Sequence, residues 1–238
     1  MAKKLNIADL QPPHFMEPVS HQDTHYIHCR VLIVCEGEQT EPNYFASFSM
    51  MKNASNLVYE VTNAGGRIST IQVVTKAMEL RDKAIRNGNP YDAVWAVFDK
   101  DNFPDADFDS AIAKARTNNI GCAWSNEAFE LWYVYHFDNR ITPMSRRDYQ
   151  NTITKRICAA GKKGFKYKKN DPDMRKILAE CGGNEKQAII FSAKQEEAFP
   201  DTKYHAHNPC TTVYQLVRLL RGEDKNFNKA VAKDLNKK

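Results

Sequence analysis

Four times between residues 26 and 137, a short run rich in Val, Ile, Ala and aromatic side chains is followed by a stretch with helical spacing. The first run, YIHCRVLIVC over residues 26–35, ends in continuous apolar sequence, as expected of a strand covered on both faces. It stops at Glu36-Gly37. Thr40 is placed to cap a helix over residues 41–51, with Pro42 in the first turn, where a missing backbone donor costs nothing. Residues 56–61 predict a second strand. Residues 69–87 predict a helix, with apolar positions at Ile71, Val74, Ala77, Met78 and Ile85, stopped by Gly88. A strand over 93–98, a helix over 108–117, a strand over 120–125 and a helix over 128–137 complete the series. Such alternation favours an α/β fold with an open, mostly parallel sheet and helices on both faces.

At 238 residues the chain has room for one large domain or a core with appendages. Residues 1–24 are polar, contain Pro12, Pro13 and Pro18, and are expected to form an arm; residues 25–139 form the α/β core. Residues 140–238 are expected to be a basic, mainly helical region packing on that core. Turns fall at Gly161, Gly164, Pro172 and Gly182-Gly183. Asn208-Pro209 followed by Thr211, Val213, Leu216, Val217 and Leu220 reads as a capped amphipathic helix that packs back on the core, organised by Asn208 and Thr211.

A composition of 42% hydrophobic and 26% charged residues excludes disordered and fibrous classes. No apolar run approaches the ~20 residues of a membrane span, and the first residues lack an apolar signal core, so no membrane is expected. Six cysteines without a CxxC pair, with Cys29, Cys35 and Cys122 in apolar stretches as buried small hydrophobes, suit a reducing compartment. The expectation is a cytoplasmic protein.

The net charge of +5 conceals a division. Residues 1–139 carry 12 Lys+Arg against 18 Asp+Glu, a net −6, and residues 140–238 carry 22 against 11, a net +11. A metal site beside a phosphate-binding surface has this pattern, and so do two ordinary solvated faces. Acidic residues just past strand ends carry weight because open α/β sheets bind ligands there. The first strand ends in Glu36-Gly37 and the third in Asp99-Lys100-Asp101. Adjacent parallel strands would bring these carboxylates together, and clustered hard oxygens suit Mg²⁺ or Mn²⁺. Capping of the next helices, or plain solvation, is the alternative.

The blocks VLIVCEGEQTEPNYF, AVWAVFDKDNF, WSNEAFELWYVYHF and NPCTTVYQLV, in this order from about residue 28 to 221, resemble the RloB-like family, a TOPRIM-type group of bacterial phage-defence and restriction-associated loci. The TOPRIM pattern is a Glu followed by Gly after the first strand and a DxD after a later one, matched here by Glu36, Gly37, Asp99 and Asp101. The resemblance implies a TOPRIM-like core and a metal-dependent endonuclease acting on RNA, tRNA included, or DNA. Glu36 would be metal ligand or general acid/base, and Asp99 and Asp101 the ligands of Mg²⁺ or Mn²⁺. Glu41 stands near the place of the second Glu of OLD-type nucleases, at a different spacing. The resemblance further implies a role as a defence effector abortive to infection and a separate AAA- or ABC-type ATPase partner, since the chain has no GxxxxGK[ST] loop. A homodimer is left open.

Glu130, in SNEAFELW, begins a helix at the same sheet edge, as a catalytic group or as a buried, paired carboxylate. His136 is expected to pack or cap. Lys100 alternates away from the two aspartates in an extended segment, to meet a substrate phosphate or moderate the acidic cluster. Phe129, Trp132, Tyr133 and Tyr135 are expected in the core. Residues 140–176 hold 12 Lys+Arg and 3 Asp+Glu, including Lys162, Lys163, Lys166, Lys168 and Lys169 around Phe165 and Tyr167. Phosphate contacts and base stacking suit such a segment, and a solvated loop is the rival. His205 and His207, two apart, are expected to point to opposite sides rather than share a metal. Two rival functions remain: a non-catalytic nucleic-acid-binding or adaptor subunit of the ATPase complex, and a topoisomerase- or primase-like protein, disfavoured for want of room for accessory domains.

Overall fold

A computed structural model of the chain describes residues 29–50, 57–65 and 68–229; the expected arm over residues 1–24 lies outside the described residues. Strand β1 (Cys29–Cys35) leads to helix α1 (Thr40–Met50), β2 (Leu57–Asn63) to α2 (Thr70–Arg86), β3 (Ala93–Asp99) to α3 (Asp105–Thr117), and β4 (Gly121–Asn126) to α4 (Glu130–Tyr135). The sheet order is β2-β1-β3-β4-β5, with the first four strands parallel. This is the open, mostly parallel α/β sheet expected from the sequence, and it is consistent with a TOPRIM-like fold.

Strand periodicity divides the core into two layers. Val31, Ile33, Cys35, Trp95, Val97 and Ala123 face one side of the sheet, and Leu32, Val34, Val94, Ala96, Phe98 and Trp124 face the other. Helices α2 and α3 cover the second face through Val73, Val74, Ala77, Phe108, Ala111 and Ile112. A capping box starts α2: Gln72 N–H donates to Ser69 Oγ at 3.4 Å and Ser69 N–H to Gln72 Oε1 at 2.7 Å. Gly121 lies opposite Trp95 in the β3–β4 ladder, where a β-carbon would come within 2.5 Å of the indole. The residue must be glycine because the ring fills that space.

The first face is covered by α1 and α4 and also by the later helices α5 (Arg146–Ala159), α6 (Met174–Glu180), α7 (Glu185–Glu197) and α8 (Val213–Leu220). Tyr149, Ile153, Leu178, Ala188, Leu216 and Val217 belong to the same buried cluster as Tyr44, Phe129 and Trp132. A polar knot fastens this layer. Glu185 accepts from Arg175 Nε at 2.8 Å, Arg221 Nη1 at 2.7 Å and the Tyr44 hydroxyl at 2.9 Å, so one carboxylate joins α1, α6, α7 and the end of α8.

Four local expectations are corrected. Cys210 and Thr211 form a fifth strand, β5, antiparallel to β4, and the helix begins only at Val213. Two residues give no period, and the pairing depends on Ser125 and Thr211, whose hydroxyls are 2.9 Å apart, and on Thr212, which accepts Trp124 N–H and donates to Cys122 O, each at 3.0 Å. Thr211 also accepts Val213 N–H at 3.3 Å, but Asn208 does not cap α8, and its buried Oδ1 has no hydrogen-bond partner among the described residues. Thr40 is the first residue of α1 rather than its cap, and Cys122 is only half-buried.

Candidate metal and phosphate site

The ladder between β1 and β3 continues one step beyond the strand, as Glu36 N–H donates to Val97 O at 2.8 Å. The Glu36 side chain then reaches across, and its Oε2 accepts Asp99 N–H at 3.2 Å. Beyond β3, Lys100 N–H bonds Ser125 O at 2.8 Å and Asp101 N–H bonds Glu127 O at 3.1 Å, keeping this segment beside the end of β4. Asp101 adopts φ of 40°, in the left-handed region that Asp enters more readily than most residues. The two strand ends therefore present Glu36, Asp99 and Asp101 to one cleft of about 440 Å³.

Two buried carboxylates enter the same cleft, and the exposed Glu38 lines it as well. Glu41, in the first turn of α1, is buried against Gly37; a β-carbon there would lie 2.3 Å from Glu41 Oε2. Gly37 thus supplies space for a carboxylate, and its φ lies outside the left-handed region that favours glycine. Glu130, the first residue of α4, is 2% exposed and accepts from Gln150 Nε2 at 2.9 Å and from the Tyr167 hydroxyl at 3.3 Å. It lines the cleft and is paired as well.

Two cations line the cleft with these carboxylates. Arg146, the first residue of α5, directs Nη2 to Asp99 and Nη1 to Asp101, each at 3.3 Å. Lys169 also lines the cleft, its loop tied to α1 by the Thr40 hydroxyl on Lys169 O at 3.1 Å and Asn43 Nδ2 on Asn170 O at 3.2 Å. The imbalance shows in proton affinity. Burial raises Glu36 to about 7, aided by Glu41 and Asp101 and opposed by the Asp99 N–H bond and Arg146. Burial and then the Glu41 charge push Asp99 well above the usual carboxylate range, against the pull of Arg146. Glu41 is raised by burial and by Glu130. For Arg146, burial works against the charge, but Asp99 and Asp101 more than offset it and raise the group.

The donor set fits a hard divalent cation: it is all oxygen, largely buried and short of positive charge. Among the described residues, however, no group of three or more His, Cys, Asp or Glu side chains stands in a geometry that would hold a metal ion. Arg146 is the cation that bridges Asp99 and Asp101. Mg²⁺ commonly binds through one or two carboxylates, waters and substrate phosphate, a smaller demand on the protein.

Not every predicted residue joins the cleft. Lys100 Nζ donates to Phe103 O at 2.6 Å and pairs with Asp105 at 3.0 Å, which turns it away from the two aspartates as strand alternation requires. Lys162 pairs with Glu180 at 2.9 Å, while Lys163, Lys166 and Lys168 are exposed on the loop that leads to Lys169. The interleaved aromatics do not stand out for base stacking: Phe165 and Tyr167 pack on the buried cluster, with Tyr167 and Tyr133 rings 6.2 Å apart. His136 is buried, with Nδ1 2.9 Å from Trp132 O and burial lowering it to about 4. His205 and His207 meet different carboxylates, Asp109 at 2.6 Å and Asp201 at 2.8 Å.

Arg146, which lines the cleft, and Gln150, which bonds its Glu130, are residues that sequence reasoning passes over. Arg146 sits in a run of basic residues without a motif. Its only signal is positional, because Ser145 caps α5 by accepting Asp148 N–H, which places Arg146 and Arg147 at a helix N-terminus, where a cation opposes the helix dipole.

Among the described residues no helix is long and apolar enough to cross a membrane. No curated protein and no solved structure matches the chain. The model of one family, described as RloB-like protein, matches residues 31–220, a span that contains every carboxylate and both cations of the cleft. The chain belongs to the RloB-like family.

Proposed function

We propose that the protein is a Mg²⁺- or Mn²⁺-dependent TOPRIM-type endonuclease that hydrolyses phosphodiester bonds in RNA, tRNA included, or DNA. The observation that carries this is the convergence of Glu36, Asp99, Asp101, Glu41 and Glu130 in one cleft whose only lining cations, among the described residues, are Arg146 and Lys169. Asp99 and Asp101, with waters and the substrate phosphate, would hold the divalent ion, which when bound would lower the pKa of a water and neutralise charge on the phosphoryl group. With its proton affinity near neutrality, Glu36 is suited to take a proton from a water or return one to a leaving oxygen. Arg146 and Lys169 offer positive charge for the phosphate, and the exposed Lys163, Lys166 and Lys168 would extend that surface along the substrate.

The cellular role follows from the family resemblance: a cytoplasmic effector of bacterial anti-phage defence, controlled by a separate AAA- or ABC-type ATPase. A free nuclease endangers its own cell, and a partner that restrains or delivers it answers that need. One observation favours a second reading. The Arg146 bridge across Asp99 and Asp101 is what a purely structural acidic cluster would also use, in an adaptor without catalysis.

Incubation with labelled tRNA, single-stranded and duplex substrates in Mg²⁺ or Mn²⁺, alone and with a neighbouring ATPase, separates the two. Metal-dependent cutting that disappears in Glu36→Ala and Asp99→Ala is expected. Cutting that persists in either would sink the site assignment, and no cutting under any condition would favour the adaptor.

A further inference from the structure

Arg146 is anchored by its backbone and loosely held by its side chain. Ser145 Oγ accepts Asp148 N–H at 3.2 Å and Asp148 Oδ2 takes the Ser145 hydroxyl at 2.6 Å, which fixes the first turn of α5. The guanidinium, by contrast, makes one bond of 3.3 Å to each of two aspartates, longer than the ~2.7–2.9 Å of a strong charge-assisted bond and without the fork-to-fork pairing that locks Arg on one carboxylate. Its Nε is buried without a hydrogen-bond partner among the described residues. The side chain is about one quarter exposed, at 26%, and it lines the cleft. With one donor unspent and two long bonds, the guanidinium is held by the charge of the surrounding carboxylates more than by hydrogen-bond geometry.

The two carboxylates it bridges are those to which a divalent ion would be assigned, and one guanidinium and one divalent ion cannot both neutralise them at contact distance. We propose that Arg146 is a shared residue, neutralising Asp99 and Asp101 until a divalent cation claims them and then ligating a non-bridging oxygen of the substrate phosphate at the cleft mouth. This rests on the nuclease reading of the same cleft and adds a phosphate ligand whose release is coupled to metal entry. Arg suits the task because its planar fork matches either a carboxylate pair or a phosphate, whereas Lys offers a point charge. Lys169, on the loop tied to α1, also lines the cleft and offers the phosphate a second cation.

Direct binding tests this without relying on turnover. Mn²⁺ binding to chelator-treated full-length protein would be followed by electron paramagnetic resonance and calorimetry, in wild type, Arg146→Gln, Arg146→Lys and Asp99→Asn. A non-cleavable phosphorothioate oligonucleotide would be titrated separately with Mn²⁺ present. Removing the competing charge is expected to tighten Mn²⁺ binding roughly tenfold in Arg146→Gln, with Arg146→Lys between it and wild type, while oligonucleotide affinity falls at least severalfold. Asp99→Asn is expected to lose Mn²⁺.

Mn²⁺ affinity that is unchanged or weaker in Arg146→Gln, with Asp99→Asn still abolishing binding, would overturn the Arg146 inference and leave the metal site standing. Mn²⁺ binding absent from wild type and both Arg146 variants would remove both. Oligonucleotide affinity unaltered by Arg146→Gln would overturn the phosphate role. Loss of the folded circular dichroism spectrum in both Arg146 variants would also overturn it, because a displaceable residue cannot be one that the fold requires.

Discussion

Replacing Glu185 with Gln removes the charge at the centre of the knot that fastens α1, α6, α7 and the end of α8. Burial alone would raise this carboxylate, but the bonds and charge of Arg175, joined by Arg221, outweigh it and hold Glu185 down to about 2. Against an ordinary value near 4.3, that depression corresponds to about 3 kcal/mol of native-state stabilisation at neutral pH. Removal also strands Arg175, itself buried, without its counter-charge, which places the loss toward ~3–5 kcal/mol. The sign of the pH dependence follows from the depressed value. The contribution is complete above the unfolded pKa and is lost as pH falls from about 4.5 toward about 2. Urea unfolding of wild type and Glu185→Gln, followed by fluorescence of the buried Trp95, Trp124 and Trp132, should show a gap of about 3 kcal/mol at pH 7 that narrows through this acid window. His136, lowered to about 4, titrates in both proteins, so comparing them largely separates Glu185 from it. A gap below about 1 kcal/mol at pH 7, or one that does not shrink on acidification, would refute the argument that this buried charge pairing stabilises the fold.

Glu36→Gln should raise the melting temperature at pH 8 relative to wild type, because a carboxylate raised to about 7 destabilises the fold while ionised; the difference should fade as pH falls from 7 toward 4.5, read by scanning fluorimetry. Gly37→Ala should displace the Glu41 carboxylate and weaken Mn²⁺ binding measured by calorimetry while the circular dichroism spectrum stays native. Gly121→Ala should destabilise by about 1–3 kcal/mol in urea melts, since the added methyl collides with Trp95. Charge reversal of Lys163, Lys166 and Lys168 should weaken nucleic-acid binding and flatten its salt dependence by roughly 0.7–0.9 in log–log slope for each phosphate no longer neutralised, measured by fluorescence anisotropy; an unchanged slope would return this loop to plain solvation.

The parallel core was legible in the sequence because burial on both faces writes itself as the unbroken runs of β1 and β3, and because the residues just past those runs are acidic. The same patterning could not reveal β5, whose two residues are strand only by virtue of Ser125 and Asn126 opposite them. Composition showed that residues 140–176 are basic, but it could not separate the inward Tyr167 from the outward Lys166 and Lys168, nor single out Arg146 from its neighbour Arg147. Those distinctions depend on which side of a turn meets Glu130 or Asp99. Gly37 was visible as a residue and opaque as a reason, since the neighbour it accommodates lies on the following helix.

The buried cluster shared by the sheet, α1, α4 and the helices after residue 145 has a consequence for control. The elements that carry the acidic residues of the cleft and the helix that carries Arg146 share a single packed interior through Tyr44, Phe129, Tyr133 and Tyr149, so their spacing is tied to how those side chains pack. Swapping the basic half for that of another protein would mean recutting this shared interior. A protein that silenced the cleft would have to cover its mouth, because the interior leaves no pair of lobes to pull apart.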